Sequence, residues 1–255
     1  MPRRIHVPIL GVGELLLDKR EAHHARDVLR LPSGSPVDVF DDAGATASGI
    51  LQHFANGDSA VQIAKLVPPS GITALQWTIA AAVPKGDRAD WMVEKLSELG
   101  ATAFIPLAAA RSVVLPAGKN RWERWNRIAT EAAKQSRRAG VMRIGELTAV
   151  ETAVKEWTMA QSARQRREVA PSPVADAAWV LTTELPGAMS IGDAASNLKS
   201  ICSLSMFIGP EGGWTNEELA AFADAGVRAV RLGASILRIE TAAIAAAAVV
   251  SALAR

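Results

Sequence analysis

This sequence of 255 residues contains a single cysteine, Cys202, and no long hydrophobic run. One cysteine cannot form a disulfide within the chain, which is typical of proteins of a reducing cytosol. The first apolar run is short and contains a proline, so we find no signal-peptide pattern. The longest apolar stretch, residues 241–254, is too short to cross a bilayer. We therefore expect a cytoplasmic protein that does not bind a membrane.

Histidine is also scarce, and its positions argue against a metal site. The four histidines all lie near the N-terminus, at His6, His23, His24 and His53. No group of histidine, cysteine or carboxylate residues has the spacing of metal ligands. The glycine turns lack the lysine and following serine or threonine of a phosphate loop, and no Gly-x-Gly-x-x-Gly follows a predicted strand. We therefore expect neither a metal nor a nucleotide polyphosphate.

Two patterns of apolar residues divide the chain, and they predict one domain at 1–68 and a second at 74–255. In the first domain, short apolar runs such as 35–40 and 60–64 alternate with turn signals. This pattern predicts small antiparallel strands that form a β-barrel. One short helix fits within it, over residues 21–29.

From residue 75 onward, apolar strands alternate with helices, which predicts a parallel sheet covered on both faces. The predicted strands are 75–83, 103–106, 179–183, 203–208 and 229–232. The predicted helices are 87–99, 121–138, 216–225 and 241–253. The segment 159–177 contains three arginines and two prolines and predicts a surface loop. The fold class is therefore α/β, with a small N-terminal β-barrel.

The helix predicted at 121–138 lies in a strongly basic segment. Seven lysines and arginines between residues 119 and 138 are opposed only by Glu123 and Glu131. Such a helix face suits a phosphate backbone. A solvated helix face without a partner explains the charge equally well.

Three predicted strands end in glycine or in polar turns, which predicts a ligand site. The three strand ends are Leu181-Thr182-Thr183-Glu184, Ile208-Gly209-Pro210-Glu211-Gly212-Gly213 and Leu232-Gly233-Ala234-Ser235-Ile236-Leu237-Arg238. In an open parallel sheet, ligands bind outside the carboxyl ends of the strands. Glycine lets the backbone approach a ligand closely, whereas Glu211 would repel a phosphate. A ligand that carries an adenine and a positive charge fits this loop chemistry better.

These segments resemble the SPOUT superfamily of knotted methyltransferases, and more closely the bacterial RsmE-type family that methylates N3 of a uridine in 16S ribosomal RNA. The C-terminal motifs are Gly209-Pro210-Glu211-Gly212-Gly213, Leu232-Gly233 and Ile236-Leu237-Arg238-x-Glu240-Thr241-Ala242. Further matches are His24-x-x-x-Val28-Leu29-Arg30-Leu31, Lys85-Gly86-Asp87-Arg88, Trp91-Met92-Val93-Glu94-Lys95, Glu98-Leu99-Gly100, Arg111-Ser112-Val113 and Glu131-Ala132-Ala133-Lys134-Gln135-Ser136-x-Arg138. The resemblance covers nearly the whole chain.

The resemblance implies an enzyme that uses S-adenosyl-L-methionine to methylate N3 of a specific uridine in the 16S ribosomal RNA of the small ribosomal subunit. It implies a C-terminal α/β domain with a trefoil knot and an N-terminal β-barrel similar to the PUA RNA-binding domain. It also implies a homodimer whose cofactor sites lie near the subunit interface. A non-catalytic RNA-binding or ribosome-assembly protein remains the alternative.

The resemblance also assigns roles to residues. The implied cofactor-binding residues are Thr183, Glu184, Gly209, Glu211, Gly212, Leu232, Ile236, Leu237 and Arg238. The candidate catalytic residues are Arg138, Arg238 and Glu240. The candidate RNA contacts are His24, Arg26, Arg30, Arg111, Lys134 and Arg138; the alternative is a packing role for His24 and core ion pairs for Arg26 and Arg30.

Methylation at N3 of uracil requires loss of the imide proton and stabilisation of the resulting negative charge. Arg138 and Arg238 are candidates for stabilising that charge, and Glu240 is a candidate base. Glu240 is equally well explained as a carboxylate at the start of the alanine-rich helix. Leu232, Ile236 and Leu237 are either pocket walls or ordinary core residues.

Overall fold

The computed structural model of this protein describes residues 3–67, 75–167 and 175–254. Contacts within the chain define two compact units. We call them the N-terminal unit, which is Met1–Gly71 with Thr130–Val141, and the C-terminal unit, which is Ile72–Ala129 with Met142–Arg255. Among the described residues, none of the helices has both the length and the apolar character needed to cross a bilayer. The domain limits 1–68 and 74–255 stay a prediction.

The N-terminal unit contains a five-stranded sheet with the order β1-β3-β4-β5-β2. Its strands are β1 Arg3–His6, β2 Gly13–Leu16, β3 Pro36–Phe40, β4 Thr46–His53 and β5 Ser59–Ile63. The pairs β3–β4, β4–β5 and β2–β5 are antiparallel, as the turn signals predict. Strand β1 is an exception, because it pairs in parallel with β3. The expectation of purely antiparallel strands is therefore wrong for β1.

Alternating apolar residues of these strands form the core of the N-terminal unit. Ile5, Val37, Val39, Leu51 and Val61 are each almost completely buried. Alternation with polar neighbours places such residues on one face of a sheet, because successive side chains of a strand point to opposite sides. The hydrophobic pattern thus determines which face the sheet buries.

The short helix of the N-terminal unit consists of two parts. An α-helix, α1, spans Lys19–His23, and a turn of π-helix follows at His24–Val28. Asp18 caps α1, since its carboxylate accepts a hydrogen bond from the Glu21 amide at 2.8 Å. Helix and π-turn together confirm the helix predicted at 21–29, with a start two residues earlier.

The C-terminal unit is built on an eight-stranded sheet. Seven of its strands have the order β11-β13-β10-β12-β6-β7-β8, and the eighth, β9, pairs with β7 outside this order. Its strands are β6 Gln76–Ala82, β7 Ala103–Ala108, β8 Arg143–Ile144, β9 Thr148–Ala149, β10 Ala175–Leu181, β11 Met189–Ser190, β12 Ile201–Ile208 and β13 Arg228–Arg231. All of its strand pairs are parallel. The parallel sheet predicted from residue 75 onward is confirmed.

Six α-helices follow α1 within the residues that the structure describes, together with a short 3-10 helix at Leu198–Ser200. They are α2 Arg88–Leu99, α3 Lys119–Ser136, α4 Val150–Arg167, α5 Ile191–Ala195, α6 Asn216–Asp224 and α7 Ile239–Leu253. Helix α2 ends at Gly100, whose φ of 103° is the left-handed conformation that glycine adopts without cost. Helix α6 begins with a reciprocal capping box between Thr215 and Glu218.

The surface loop predicted at 159–177 is wrong over most of its length. Helix α4 continues to Arg167, and β10 begins at Ala175. The arginines and glutamines of this segment are good helix formers, so the polar composition that suggested a loop is equally compatible with a helix. The two prolines that supported the loop, Pro171 and Pro173, lie outside the described residues.

Candidate active site

The three predicted ligand-binding segments meet at one edge of the C-terminal sheet. Strands β13, β10 and β12 are neighbours and run parallel, so their carboxyl ends lie side by side. The segments that follow Leu181, Ile208 and Arg231 surround a cavity of about 140 Å³. We call it the strand-end cavity. Its lining is Leu181–Glu184, Ile208–Glu211, Gly213, Trp214, Leu232, Gly233, Ser235–Leu237, Ile239 and Ala242.

A buried tryptophan supports the glycine turn on one side of this cavity. The Trp214 indole Nε1 donates a hydrogen bond to the carbonyl of Leu181 at 3.0 Å. A Cβ atom built on Gly209 would lie 2.8 Å from a carbon of this indole, so only glycine fits there. Gly213 has a φ of 74°, and its amide donates to the Pro210 carbonyl at 2.9 Å. The turn is therefore shaped by the absence of side chains at two positions.

Arg111 holds the same turn from the segment after β7. Its guanidinium Nη1 donates to the carbonyls of Gly212 at 2.8 Å and Trp214 at 3.2 Å. Beside it, the Ala110 amide donates to the Glu218 carboxylate at 2.9 Å. These bonds connect the segments that follow β7 and β12, and they satisfy two backbone carbonyls of the glycine turn.

The second side of the cavity is the turn after β10. The Thr182 amide donates to the Val230 carbonyl of β13 at 3.0 Å. The Thr182 hydroxyl accepts a hydrogen bond from the Glu184 amide at 3.1 Å. The exposed Glu184 carboxylate reaches across to the glycine turn, since a Cβ atom on Gly213 would lie 2.5 Å from its Oε1. A carboxylate therefore lies at the mouth of the cavity.

The third side is an apolar segment between β13 and α7. Ile236 is 84% exposed although it is a large aliphatic residue. Leu237 is also exposed, and Ile239 and Ala242 at the start of α7 complete this wall. Ile236 is therefore not a core residue, which removes that alternative for this position. Exposed aliphatic side chains around a concave site favour an apolar ligand surface.

A charged group of three residues lies beside the cavity. Glu240 in the first turn of α7 is only 4% exposed, and its Oε1 accepts from Arg88 Nη1 at 3.2 Å. The same Arg88 nitrogen lies 3.5 Å from Oε1 of Glu211, a cavity residue. No side-chain cap is formed at the start of α7. Among the described contacts, Glu240 thus acts as an ion-pair partner of Arg88.

Arg88→Ala should destabilise the C-terminal unit by about 3 kcal/mol, because it leaves the Glu240 carboxylate buried without its counter-ion. Urea unfolding followed by tryptophan emission measures the effect. The matched control is Arg124→Ala, which breaks an exposed pair with Asp90 and should cost less than about 1 kcal/mol. An equal loss in the two variants would show that the buried carboxylate does not depend on Arg88.

Most of the predicted cofactor residues lie together around the strand-end cavity. They are Thr183, Glu184, Gly209, Glu211, Leu232, Ile236 and Leu237. Two are not part of its lining: Gly212, where a Cβ atom would meet Arg111 at 3.3 Å, and Arg238, the exposed residue that precedes α7. Of the candidate catalytic residues, Glu240 and Arg238 belong to the C-terminal unit and Arg138 to the N-terminal unit.

The predicted RNA contacts differ in how accessible they are. His24 is half-buried and Arg30 is exposed, with a φ of 51°. Arg26 donates to the Gly57 carbonyl at 2.5 Å. Lys134 is poorly accessible, because its side chain is 8% exposed and its ammonium is bound to the Glu21 carboxylate. Burial makes Lys134 a structural residue, so we do not carry it into the proposed RNA surface.

Arg138 lies close to Arg4 in the N-terminal unit. Arg4 Nη1 donates to the Arg138 carbonyl at 2.9 Å and to that of Ala133 at 3.3 Å. Burial lowers the pKa of the Arg138 guanidinium to about 10, which still leaves it positively charged at neutral pH. The charged guanidinium of Arg138 is therefore suited to binding a polar or anionic partner.

The sequence-based assignment missed three residues that shape the site: Arg88, Trp214 and Gly213. Arg88 lies within, and Trp214 directly after, a motif that carries the resemblance, so their positions in the sequence could have marked them as site residues. Their contacts were not, because Arg88 pairs with carboxylates more than a hundred residues away along the chain. Gly213 differs from Gly212 only by its positive φ, which a sequence does not show.

Comparison with known proteins shows the family to which the chain belongs. Residues 73–251 match the family model of an RNA methyltransferase domain. A ribosomal RNA small subunit methyltransferase E from Synechocystis is 32% identical, over 93% of this chain and 72% of the relative. The protein of the same name from Bacillus subtilis is 31% identical, over 87% of this chain and 83% of the relative.

A solved structure is similar over the full length. It is a ribosomal RNA small subunit methyltransferase E from Neisseria gonorrhoeae bound to S-adenosyl methionine, with 27% identity, a TM-score of 0.79 and coverage of 99% of this chain and 98% of that one. The predicted fold class, a SPOUT-type α/β domain preceded by a small β-barrel, is confirmed by this match. The chain belongs to the ribosomal RNA small subunit methyltransferase E family.

Proposed function

We propose that this protein transfers a methyl group from S-adenosyl-L-methionine to N3 of a uridine in 16S ribosomal RNA of the small ribosomal subunit. One observation carries the proposal: three neighbouring strand ends surround a single cavity that combines an apolar wall with two carboxylates. The names of the relatives support methylation of small-subunit ribosomal RNA as the reaction.

The residues around the strand-end cavity fit S-adenosyl-L-methionine. The cofactor has a flat apolar adenine, two ribose hydroxyls, a sulfonium and an amino-acid end. Leu232, Ile236 and Leu237 offer an apolar surface for the adenine, and the glycine turn offers backbone groups. Glu184 and Glu211 offer carboxylates to the hydroxyls and to the positive charges. A nucleotide polyphosphate would instead be repelled by these carboxylates.

When bound, S-adenosyl-L-methionine supplies an activated methyl group on a positively charged sulfur. The chain's own contribution is position and electrostatics. The strand-end cavity holds the donor in one orientation, which removes much of the entropic cost of the reaction. A bound cofactor would cover the exposed side chains of Ile236 and Leu237 and so remove water from around the reacting atoms, which strengthens charge interactions there. Arg138 and Arg238 remain our proposed groups for the negative charge that develops on the uracil oxygens.

The RNA partner and the assembly are also part of the proposal. We infer that the N-terminal domain, residues 1–68, binds RNA through His24, Arg26 and Arg30, and that the domain at 74–255 carries the reaction together with Arg111. We further propose a homodimer that works in the cytoplasm. Exposed apolar residues around the cavity, above all Ile236, support the homodimer, because a second subunit would cover them.

The proposed function is tested by incubating the protein with unmethylated small ribosomal subunits and labelled S-adenosyl-L-methionine. The product nucleoside is then identified by digestion and mass spectrometry. We expect N3-methyluridine in the small-subunit RNA. Binding of S-adenosylhomocysteine without any methylated nucleoside, or methylation of a different base, would overturn the proposal.

Gly233→Val should weaken S-adenosylhomocysteine binding by about tenfold, or about 1.4 kcal/mol, while the protein stays folded. Gly233 lines the cavity, and a Cβ atom built on it meets no other atom of the protein within 4 Å. The added side chain therefore competes with the ligand and not with the fold. Calorimetric titration measures the affinity.

Gly11→Val is the control for this substitution, since Gly11 lies in the N-terminal unit and also has open space around it. It should leave the affinity unchanged. Equal affinities in the Gly233 variant and the control would place the cofactor elsewhere.

A further inference from the structure

A second, smaller cavity lies next to the strand-end cavity along the same edge of the sheet. It has a volume of about 20 Å³ and is open to solvent. Its walls come from the segments after β6 and β7, with Val83, Pro84, Lys85, Ser112 and Val113, and from the glycine turn after β12. We call it the side cavity. Because β12, β6 and β7 are adjacent, the two cavities are neighbours.

The two cavities share Pro210, Glu211 and Ile239. Of these, only Glu211 has a polar side chain. Its carboxylate is about half exposed, and Arg88 lies 3.5 Å from its Oε1. A group bound in the side cavity and a group bound in the strand-end cavity would therefore both reach this carboxylate. No other titratable side chain lines both cavities within the residues described.

The side cavity has the chemistry to bind the edge of a uracil ring. Val113 is exposed and offers apolar surface to a ring face, whereas the buried Val83 and Pro84 form the floor that the ring edge would meet. Lys85 offers an ammonium, and the Ser112 Oγ, which accepts from the Ala109 amide at 3.0 Å, still has its proton to donate. Uracil presents an acceptor, a donor and an acceptor in the order O2, N3–H and O4. Two donors and the Glu211 acceptor match that order.

The same set of groups disfavours cytosine. Cytosine has no proton on N3 and carries an amine in place of O4, so N3 would face a carboxylate with no hydrogen to share. Buried or partly buried polar groups left without a partner are costly, and this cost is a strong source of discrimination. The side cavity therefore supplies specificity as well as position.

We propose that the side cavity is the uracil subsite and that Glu211 is the catalytic base, an inference that rests on the proposed function. The N3–H bond breaks and its proton moves to the Glu211 carboxylate. The electron pair left on N3 forms the new bond to the methyl carbon. The bond between that carbon and sulfur breaks, and its electron pair stays on the now neutral sulfur. Lys85 is a further group, in addition to the two proposed arginines, that stabilises the negative charge that develops on the uracil oxygens.

Glu240, the base suggested by sequence alone, takes a different role in this arrangement. It is 4% exposed, its Oε1 is bound by Arg88, and it lines neither cavity. A base must come within hydrogen-bond reach of the proton that it removes. Glu240 instead anchors Arg88, which in turn contacts Glu211. We assign Glu240 and Arg88 as positioning residues.

The experiment compares Glu211→Gln, Glu240→Gln and a control, Glu156→Gln, whose carboxylate is exposed on α4. Two quantities are measured: the affinity for S-adenosylhomocysteine by calorimetry, and the single-turnover rate of N3-methyluridine formation on small subunits. For Glu211→Gln we expect an affinity up to about tenfold lower, because Glu211 also faces the cofactor, and a rate at saturating cofactor at least about 100-fold lower, the usual scale of a lost general base. Glu156→Gln should match wild type in both.

Chemical rescue separates a base from a structural carboxylate. Glu211→Ala should regain at least about tenfold in rate when sodium formate replaces sodium chloride at equal ionic strength, whereas Glu240→Ala should not. A Glu211→Gln rate within fivefold of wild type, a loss of cofactor affinity as large as the loss of rate, or equal rescue of both alanine variants would each overturn the assignment. A wild-type protein that forms no N3-methyluridine would overturn the proposed function together with it.

Discussion

Gly209→Val is expected to abolish measurable binding of S-adenosylhomocysteine, a loss of at least about 100-fold, or 2.7 kcal/mol. A Cβ atom at this position would lie 2.8 Å from one atom of the Trp214 indole and 3.1 Å from two others. The indole is not free to move, because Nε1 is bound to the Leu181 carbonyl and the ring packs edge-on against Phe222 at 5.0 Å. The backbone of the glycine turn must shift instead, and this distorts the wall of the cavity.

Overpacking of this kind also lowers the free energy of unfolding, by about 1 to 3 kcal/mol. Calorimetric titration and thermal unfolding measure the two effects separately. Gly233→Val is the matched control for the unfolding measurement, because it adds the same side chain where the protein leaves space, although it should itself weaken the affinity about tenfold. If Gly209→Val kept the wild-type affinity, the glycine turn would not form a wall of the cofactor site.

Lys134→Met is expected to destabilise the N-terminal unit by about 3 to 5 kcal/mol, the cost of leaving a buried charge without its partner. Lys134 binds the Glu21 carboxylate, and both side chains are 8% exposed. The second oxygen of Glu21, Oε2, is buried and has no hydrogen-bond partner among the described residues. The Lys134 ammonium is therefore the main compensation for burying this carboxylate.

Hydrogen exchange of the N-terminal strands is the appropriate measurement for this variant. All seven tryptophans lie in the C-terminal unit and the chain has no tyrosine, so tryptophan emission reports only on that unit. Replacing Glu21 with leucine in the Lys134→Met background should restore at least half of the lost stability, since it removes the unpaired charge. Arg20→Ala breaks the exposed pair with Glu131 and should cost less than about 1 kcal/mol. A similar cost for Arg20→Ala and Lys134→Met would contradict the role of burial.

The sequence predicts the architecture of the C-terminal unit well because its signals are local. The strand at 203–208 is rich in apolar residues, with Leu204 and the run Met206–Ile208, and it forms the end of β12. The helix at 87–99 ends at a glycine, and Gly100 adopts the left-handed conformation that ends it. Parallel strands place their carboxyl ends at one edge, so the strand-end cavity follows once β10, β12 and β13 are neighbours.

What the sequence does not reveal is long-range pairing. Strand β1 pairs in parallel with β3, and no local signal distinguishes this from an antiparallel pair. Lys134 and Arg88 look like exposed basic residues of amphipathic helices. Their partners, Glu21 and Glu240, are far away in the chain, so burial and ion pairing could not be read from spacing. The same holds for Arg111, whose guanidinium holds the glycine turn.

Sequence motifs do not predict the side cavity, for a related reason. Its residues come from three segments, and each segment alone shows only ordinary polar or apolar side chains. Glu211 was expected to contact the cofactor, and it does line the strand-end cavity. Glu211 also lines the side cavity, and this follows only from the sheet order, which places the ends of β6 and β7 beside the end of β12.

The membership of Thr130–Val141 in the N-terminal unit has a consequence for biosynthesis. A domain made of one continuous segment can fold as soon as it leaves the ribosome, and N-terminal domains usually do so first. Here the Glu21 carboxylate has no ion-pair partner until Lys134 has been synthesised. The Arg4 guanidinium likewise cannot form its hydrogen bonds until the carbonyls of Ala133 and Arg138 are present. The nascent N-terminal strands therefore remain incomplete until residues 72–129, about a third of the C-terminal unit, have also been synthesised. Early folding is thus coupled to continued translation.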